Sequence, residues 1–469
     1  MSSVEHRFPA AMTRVALVAP AGRMRAMLVA IADAGSVQLV GPLPPPQGEA
    51  VEALRRLERA QAQAGKPEPR LAERHRDVAA LEREARRDLL AGEVELERRI
   101  DAAVRRGRFA ALLAWVPRDD LPALTERLAE VGATTIELRR PMLVDPPTLL
   151  RPPRLARPFR PLVDTYGAAR YADIDPTPFA AASFVFMFGM MFGDAGDGLL
   201  LAALGLLLRA SRSKRFEGLR PLWPFLVAGG VAAMLFGVLY GEAFGPTGLV
   251  PTIWLAPLDE PVRLLGIAVA IGALLLAASY GMGVVNRWRE GGRRAALLAP
   301  SGIAGVSVFA GAGVLALGVY LGRGAVLLAG AAVVLAGAAL LFAGFAAESG
   351  TGGGAVAQAG VEVFDAVVRV GANLISFTRL AAFGLMHAAL GWVLLDGARG
   401  LWAAGAAGRA AAVLVFVVGH VAAFALEALV AGVQAMRLEY YELFSRLFAG
   451  EGEPFRPWRI PVVRKAVPT

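Results

Sequence analysis

Cysteine is absent from this chain of 469 residues. Disulfides and thiolate metal sites are therefore excluded. The N-terminus lacks a basic segment followed by an apolar core and a cleavage site, so no signal peptide is expected. There is no phosphate-binding loop of the Walker type, which excludes ATP hydrolysis by this chain alone. No cofactor and no metal site is expected. Two matching halves, the mark of a secondary transporter built from inverted repeats, are also missing.

Apolar residues are plentiful. They make up 56% of the chain against 19% charged, which is the balance of a membrane protein. The charge is uneven: most Arg, Asp and Glu precede about residue 175, and the rest sit in short loops between apolar runs. The net charge of +9 does not indicate nucleic acid. In the first part arginines alternate with carboxylates, and the excess beyond it gathers beside apolar runs, as positive-inside topology and contact with anionic membrane lipid require. Two parts follow, a soluble N-terminal domain and a polytopic membrane domain.

In the soluble part, "RVALVAPAGRMRAMLVAIADAGSVQLV" reads as strand, helix, strand. Val15 and Leu17 alternate, Met24, Met27, Leu28 and Ile31 keep helical spacing, and Val37 and Leu39 alternate again. "FAALLAWVPRDDLPALTERLAEVGATTIELR" repeats the order, with Pro117 and Asp119 opening its helix and Gly132 closing it. Two such units predict one small split βαβ sheet of ferredoxin-like type. Between them, residues 50–106 carry Leu54, Leu57, Leu71, Val78, Leu81 and Leu89 at heptad-like positions among Glu and Arg. This predicts a solvated helical hairpin broken near "GKPEP". His6 and His75 are expected to face solvent.

Apolar runs occupy about 179–208, 222–245, 263–286, 297–321, 324–347, 359–403 and 410–430; a crossing takes about 20 residues. The basic loops "RASRSKRFEGLR" and "NRWREGGRR" are two crossings apart and share a side, which their arginines make cytoplasmic. A cytoplasmic soluble domain then requires the first run to cross an even number of times. "FGDAGDG" at its centre allows a break into two short helices, tilted or sheltered by neighbours. The expected total is about eight transmembrane helices, the last two long and tilted, with both termini cytoplasmic. The domain plan is 1–160 for the soluble lobe with its hairpin, 161–178 for a linker, 179–448 for the membrane domain and 449–469 for a cytoplasmic tail. The glycines of "GAGVLALG" and "AGAAVVLAGAALLFAG" are expected where helices pack closely.

Arg379 lies deep in "LISFTRLAAFGLMHAAL". A guanidinium at mid-bilayer costs roughly 2.5–3.5 kcal/mol even on lenient scales, so it needs a partner or a task. On one straight helix, Asp365 lies about 40° from Arg379 in azimuth and about 21 Å before it, His387 about 80° away on the other side and about 12 Å beyond, with Ser376 between them. The final helix adds His420, Glu427 and Arg437. Polar stripes on two tilted helices suit a divided aqueous path. Each member also has a plainer reading: Asp365 paired with Arg369 at i,i+4, His387 and His420 as satisfied interior histidines, Arg437 reaching to headgroups. No carboxylate of the chain is an obvious partner at the depth of Arg379, which suggests a partner on another subunit.

"SFTRLAAFGLMHAAL", "FGMMFGDAGDG", "IDPTPF", "GVLYGEAFG" and "EALVAGVQAMRLEYYELFSRLFAGEGEPFRPW" resemble the membrane subunit of rotary V-type and archaeal A-type ATPases, called subunit a or subunit I. The likeness runs from about residue 160 to 458. The opening βαβ segment with "LLAWVP" resembles the proximal lobe of that family's cytoplasmic arm. The resemblance implies a stator subunit carrying protons or Na+ through two half-channels against a c-type proteolipid ring. It implies as further partners the peripheral stalk and central-stalk cap subunits, in a prokaryotic cell membrane. Arg379 matches the family's essential arginine, His387 its polar position eight residues on, Asp365 the position of a usual glutamate, and Asp194 the Asp of its "GD" turn. Glu427 and Arg437 keep its spacing of ten. On this reading Asp194 and Asp365 fall toward the cytoplasmic side, and His387 and Glu427 toward the opposite one. Departures are a short arm with room for one lobe, Asp197 after the "GD" turn, "SFTRL" for the commoner "SYLRL", and the extra charge of Arg369. A stand-alone or repurposed ion carrier, uncoupled from a catalytic head, is the competing expectation.

Overall fold

A computed structural model describes residues 8–60, 65–141, 144–349, 353–448 and 450–463. The chain divides into two compact units, one of residues 9–150 with 452–469, the other of 151–451 with the first eight residues. His6 lies outside the described residues, and His75 is exposed.

The first unit holds β1 (Met12–Pro20), α1 (Met24–Ala34), β2 (Gln38–Val40), α2 (Glu49–Ala60), β3 (Leu71–Ala72), α3 (Val78–Arg83), α4 (Arg87–Asp101), β4 (Val104–Arg106), β5 (Phe109–Pro117), α5 (Leu121–Glu130) and β6 (Thr134–Leu138). Both expected strand–helix–strand units are present. They interleave into an antiparallel sheet of order β2-β5-β1-β6, with β4 on β5. Alternation on β1 sends Val15, Leu17 and Ala19 inward against Met24, Met27, Leu28 and Ile31 of α1, as a half-buried strand requires.

Between the two strand–helix–strand segments, three helices stand where a solvated hairpin was expected. Leu71, Val78, Leu81 and Leu89 are buried, and α2, α3 and α4 close a small core with Ala50 and Ala53. The heptad-like positions were thus a true apolar face, folded back on itself where "GKPEP" is irregular. Inside this layer Arg25 pairs with the buried Glu93. Burial pushes the Glu97 carboxyl up, with the nearby acids adding to the rise. The segment read as a tail contributes to the same unit: β7 (Val462–Val463) runs parallel to β3, Trp458 donates its backbone N–H to Val37, and Ile460 is buried in the sheet's core.

The second unit is helical: α6 (Arg160–Tyr166), α7 (Thr177–Met191), α8 (Ala195–Ala210), α9 (Trp223–Tyr240), α10 (Pro261–Leu298), α11 (Ile303–Leu321), α12 (Gly324–Glu348), α13 (Gly353–Ser376), α14 (Thr378–Trp402) and α15 (Gly405–Leu438). A π-helical turn, Glu439–Phe444, follows α15. Among the described residues six helical segments are long and apolar enough to cross a membrane: Arg220–Tyr240, Pro261–Leu298, Ile303–Leu321, Gly324–Glu348, Gly353–Trp402 and Gly405–Leu447. The protein is a membrane protein.

The first apolar run does break at "FGDAGDG", giving α7 of 15 and α8 of 16 residues. At 1.5 Å per residue each is about 23 Å long, less than a hydrocarbon core. α7 is sheltered, packing against α9, α14 and α15 and burying Phe184, Met187, Phe188, Met190 and Met191. The expected loop "NRWREGGRR" is instead helix to Leu298, interrupted at Gly291 and Gly292, the latter at φ 66°, ψ −153°. Between α11 and α12, Gly311, Gly318, Gly330 and Gly337 act as expected, a Cβ at Gly311 standing 2.7 Å from the Val334 N, whereas a Cβ at Gly313 meets nothing within 4 Å among the described residues.

Candidate functional site

Within the 50-residue segment Gly353–Trp402 the helical hydrogen bonding tightens at Phe377, which keeps right-handed dihedrals at φ −72°, ψ −11°; its buried ring rests on Gly272 of α10, where a Cβ would come within 2.3 Å of it. Arg379 and His387 both lie within α14. Asp365 pairs with Arg369 at 2.6 Å on an exposed face, the plainer of its two readings. Arg437 is exposed at the end of α15, and Ser376 is half-buried.

Arg379 has a carboxylate of its own chain nearby, contrary to expectation. Its Nη1 lies 3.5 Å from Glu442 Oε1, on the π-helical turn. The turn explains the oversight: continuing past the periodic apolar run, it carries Glu439 and Glu442 into the interior. Glu439 is fully buried, with Ser183 of α7 donating its hydroxyl to Oε2 at 2.8 Å. At 3.5 Å the Arg379–Glu442 pair is an ion pair rather than a hydrogen bond, and Nη1 has no hydrogen-bond partner among the described residues.

A second polar group forms where α7 gives way to α8. Asp194 caps α8, Oδ1 accepting from the N–H groups of Gly196 and Asp197 at 2.8 and 2.9 Å, as an N-cap should. The loop after α9 adds two more donors: the N–H groups of Phe244 and Gly245 reach Asp194 at 2.8 and 2.7 Å. Phe244 sits at φ 53° and Gly245 at φ 83°, so successive amides converge on the carboxylate as an anion-binding nest. Gly237 of α9 permits the approach, since a Cβ there would fall 2.1 Å from the Ala195 N.

Around Asp194 gather His387 of α14, with Nε2 3.9 Å from Asp194 Oδ2, and Glu427 of α15, whose Oε2 is 2.5 Å from His387 Nδ1. Glu242, from the loop that supplies the amides, completes a buried group with Asp194 and His387, donor atoms within 4.8 Å of one another. One turn on, His420 Nε2 meets Asp197 Oδ1 at 2.8 Å. The expectation that Asp194 and His387 belong to opposite sides is corrected: they share one site. The sequence reading found Asp194, His387, His420 and Glu427 but not Glu242, Asp197 as partner of His420, Glu439 or Glu442. Glu242 was visible as an acid between apolar runs.

Ahead of α7, "IDPTPF" builds the entrance to the helical unit. Asp175 accepts from the Thr177 N–H at 2.9 Å. Buried Asp173 accepts from the Arg170 N–H at 2.9 Å, beside Glu290, which Arg170 and Arg287 both contact. Burial pushes the Asp173 carboxyl up to about 7, the Arg170 amide opposing and the Glu290 carboxylate adding to the rise.

Known proteins resemble this chain in sequence. Residues 102–259 match the V-type ATPase 116 kDa subunit family. The chain is 28% identical over 403 residues to the A-type ATP synthase subunit I of Pyrococcus horikoshii, covering 83% of this chain and 59% of that one. It is 29% identical over 378 residues to the subunit I of Halobacterium salinarum, covering 67% and 51%. Over 155 residues it is 35% identical to the human V-type proton ATPase 116 kDa subunit a 3, covering 30% and 19%. The chain spans little more than half the length of the curated relatives it matches.

Proposed function

Because this chain belongs to the V/A-type ATPase subunit a family, we propose that it is the stator subunit of an ion-translocating rotary ATPase, passing protons or Na+ between two half-channels and a c-type proteolipid ring. A ring carboxylate in lipid favours its neutral form; facing a fixed guanidinium it favours ionisation, because the opposite charge stabilises the anion. Arg379 is the residue that strips the ion and seals the two paths from each other.

The observation that carries this reading is the loose hold on Arg379. Its own-chain partner is 3.5 Å away and its side chain is 26% exposed, so the guanidinium is free to exchange Glu442 for an incoming acid. Asp365, Ser376 and Arg437, with Glu442, then line the path on the side of the arginine-rich loops. Asp194, Glu242, His387, His420 and Glu427 line the path on the other. The two short helices α7 and α8 cross as a sheltered hairpin, giving eight crossings with both termini on the cytoplasmic side of a prokaryotic cell membrane. The four-stranded order β2-β5-β1-β6 is that of a ferredoxin-like arm lobe, which would meet the peripheral stalk and the cap of the central stalk.

The test is ATP-driven ion uptake in vesicles reconstituted with the co-purified subunits. Arg379→Ala and Arg379→Lys are each expected to lose uptake at least about tenfold, a loss equal to 1.4 kcal/mol of lost stabilisation. Full uptake by Arg379→Ala would refute the assignment. The alternative is a carrier uncoupled from a catalytic head; purification without any co-eluting proteolipid would select it.

A further inference from the structure

The group at the α7–α8 bend has the makings of a metal site. His387 Nδ1 is engaged by Glu427 at 2.5 Å, which fixes the ring and turns Nε2 toward Asp194 and Glu242. Nε2 has no hydrogen-bond partner among the described residues, nor has Glu242 Oε2, and both side chains are more than nine-tenths buried. A carboxylate behind the imidazole and an open nitrogen in front is how metal-ligating histidines are held, the outer acid setting the tautomer and raising ligand basicity.

Spacing agrees with this. The 3.9 Å between His387 Nε2 and Asp194 Oδ2 is too long for a hydrogen bond. It is close to the separation of about 3.4 Å that an imidazole nitrogen and a carboxylate oxygen keep across a tetrahedral zinc ion. Charge agrees as well. One imidazole faces the three buried carboxylates Asp194, Glu242 and Glu427, so as imidazolium it offsets only one of the negative charges, whereas a divalent ion offsets two. A cleft of about 650 Å³, lined by Glu242, Pro246, Thr252, Asp259, Trp392 and Val393, provides a way in.

We propose that Asp194, Glu242 and His387 bind a divalent transition-metal ion of the zinc class, with Glu427 supporting His387 from behind. The mixed nitrogen and oxygen donors select zinc or cobalt over magnesium and calcium, which prefer oxygen alone. A resident ion would occupy the same groups that the ion path uses, so zinc and transported ions would compete there. The binding itself does not rest on the transport reading.

Calorimetric titration of the purified full chain in detergent with zinc sulfate is expected to show one ion per chain. Excess magnesium should not displace it. Cobalt is expected to give a visible absorption band that zinc removes. His387→Ala and Glu242→Gln should each weaken zinc at least about tenfold, and Glu427→Gln about 10- to 100-fold, whereas His75→Ala, on the exposed surface, should leave affinity unchanged. The cobalt band is read on the unaltered protein, so it tests the site even if a variant fails to fold. No stoichiometric zinc and no cobalt band, or affinity unaltered by both His387→Ala and Glu242→Gln, would overturn the proposal. Zinc binding without ion uptake would leave this site standing and count against the transport reading.

Discussion

Asp173 is 1% exposed and carries a carboxyl raised to about 7 from the ordinary 3.8. In the unfolded chain it releases its proton near pH 4; in the folded chain it keeps it until about pH 7. Between those values the folded state holds more protons, so stability falls as pH rises, by on the order of 1 kcal/mol per pH unit from this group. The contribution is complete below pH 4 and gone above pH 7. The expected result is a melting temperature that declines from pH 5 to pH 7.5, with a shallower decline in Asp173→Asn, whose amide oxygen still accepts from the Arg170 N–H. Equal slopes in the two proteins would exclude Asp173 as the cause. At this scale the sequence was legible wherever a charge interrupted an apolar run: Arg379, His387 and Glu427 stood out because their cost in a membrane demands a reason. It was not legible in pairing. His387 meets residues 193 positions earlier and 40 later, and helical periodicity says nothing about which helices become neighbours.

Among the elements, the α7–α8 bend depends on how closely α9 approaches it. Gly237→Ala would press a Cβ onto the Ala195 N and the Asp194 carbonyl carbon, at 2.1 and 2.3 Å. Those atoms are backbone, held by the cap, so relaxation is expensive and a loss of about 1–3 kcal/mol is expected. Gly266→Ala in α10, where a Cβ meets nothing within 4 Å among the described residues, should be neutral or stabilise by up to about 1 kcal/mol. Thermal unfolding of the two variants in one detergent decides the matter, and equal melting temperatures would argue against close packing at the bend. The bend was readable from "FGDAGDG", because length set against bilayer thickness forced a break there. The seating of the Phe377 ring on Gly272 was not, because it is a contact between helices far apart in sequence. The π-helical turn was hidden for a related reason, since one extra residue per turn shifts Glu439 and Glu442 off the face that a 3.6-residue period assigns them.

Across the whole molecule, the sheet-bearing unit is assembled from both ends of the chain. Ile460 is 5% exposed and sits among the residues of that unit's core. Ile460→Ala in the full-length protein should cost about 2–5 kcal/mol, felt locally. Hydrogen exchange is expected to quicken at Leu71 and Glu73, whose N–H groups donate to Pro461 and Val463, and at Trp458, which donates to Val37, while α11 and α12 keep their protection. Uniform quickening would mean that the two units unfold together.

The closing strand carries an implication for biogenesis. Translation proceeds from the amino end, and domains ordinarily fold as they emerge, yet here the β3 edge waits for a mate encoded some 390 residues downstream. The ribosome must deliver every bilayer helix before that seam can be sewn. Maturation of the leading lobe is thus a receipt that the intervening helices have been made, and a nascent chain stalled short of residue 460 should present an unfinished edge to chaperones and proteases.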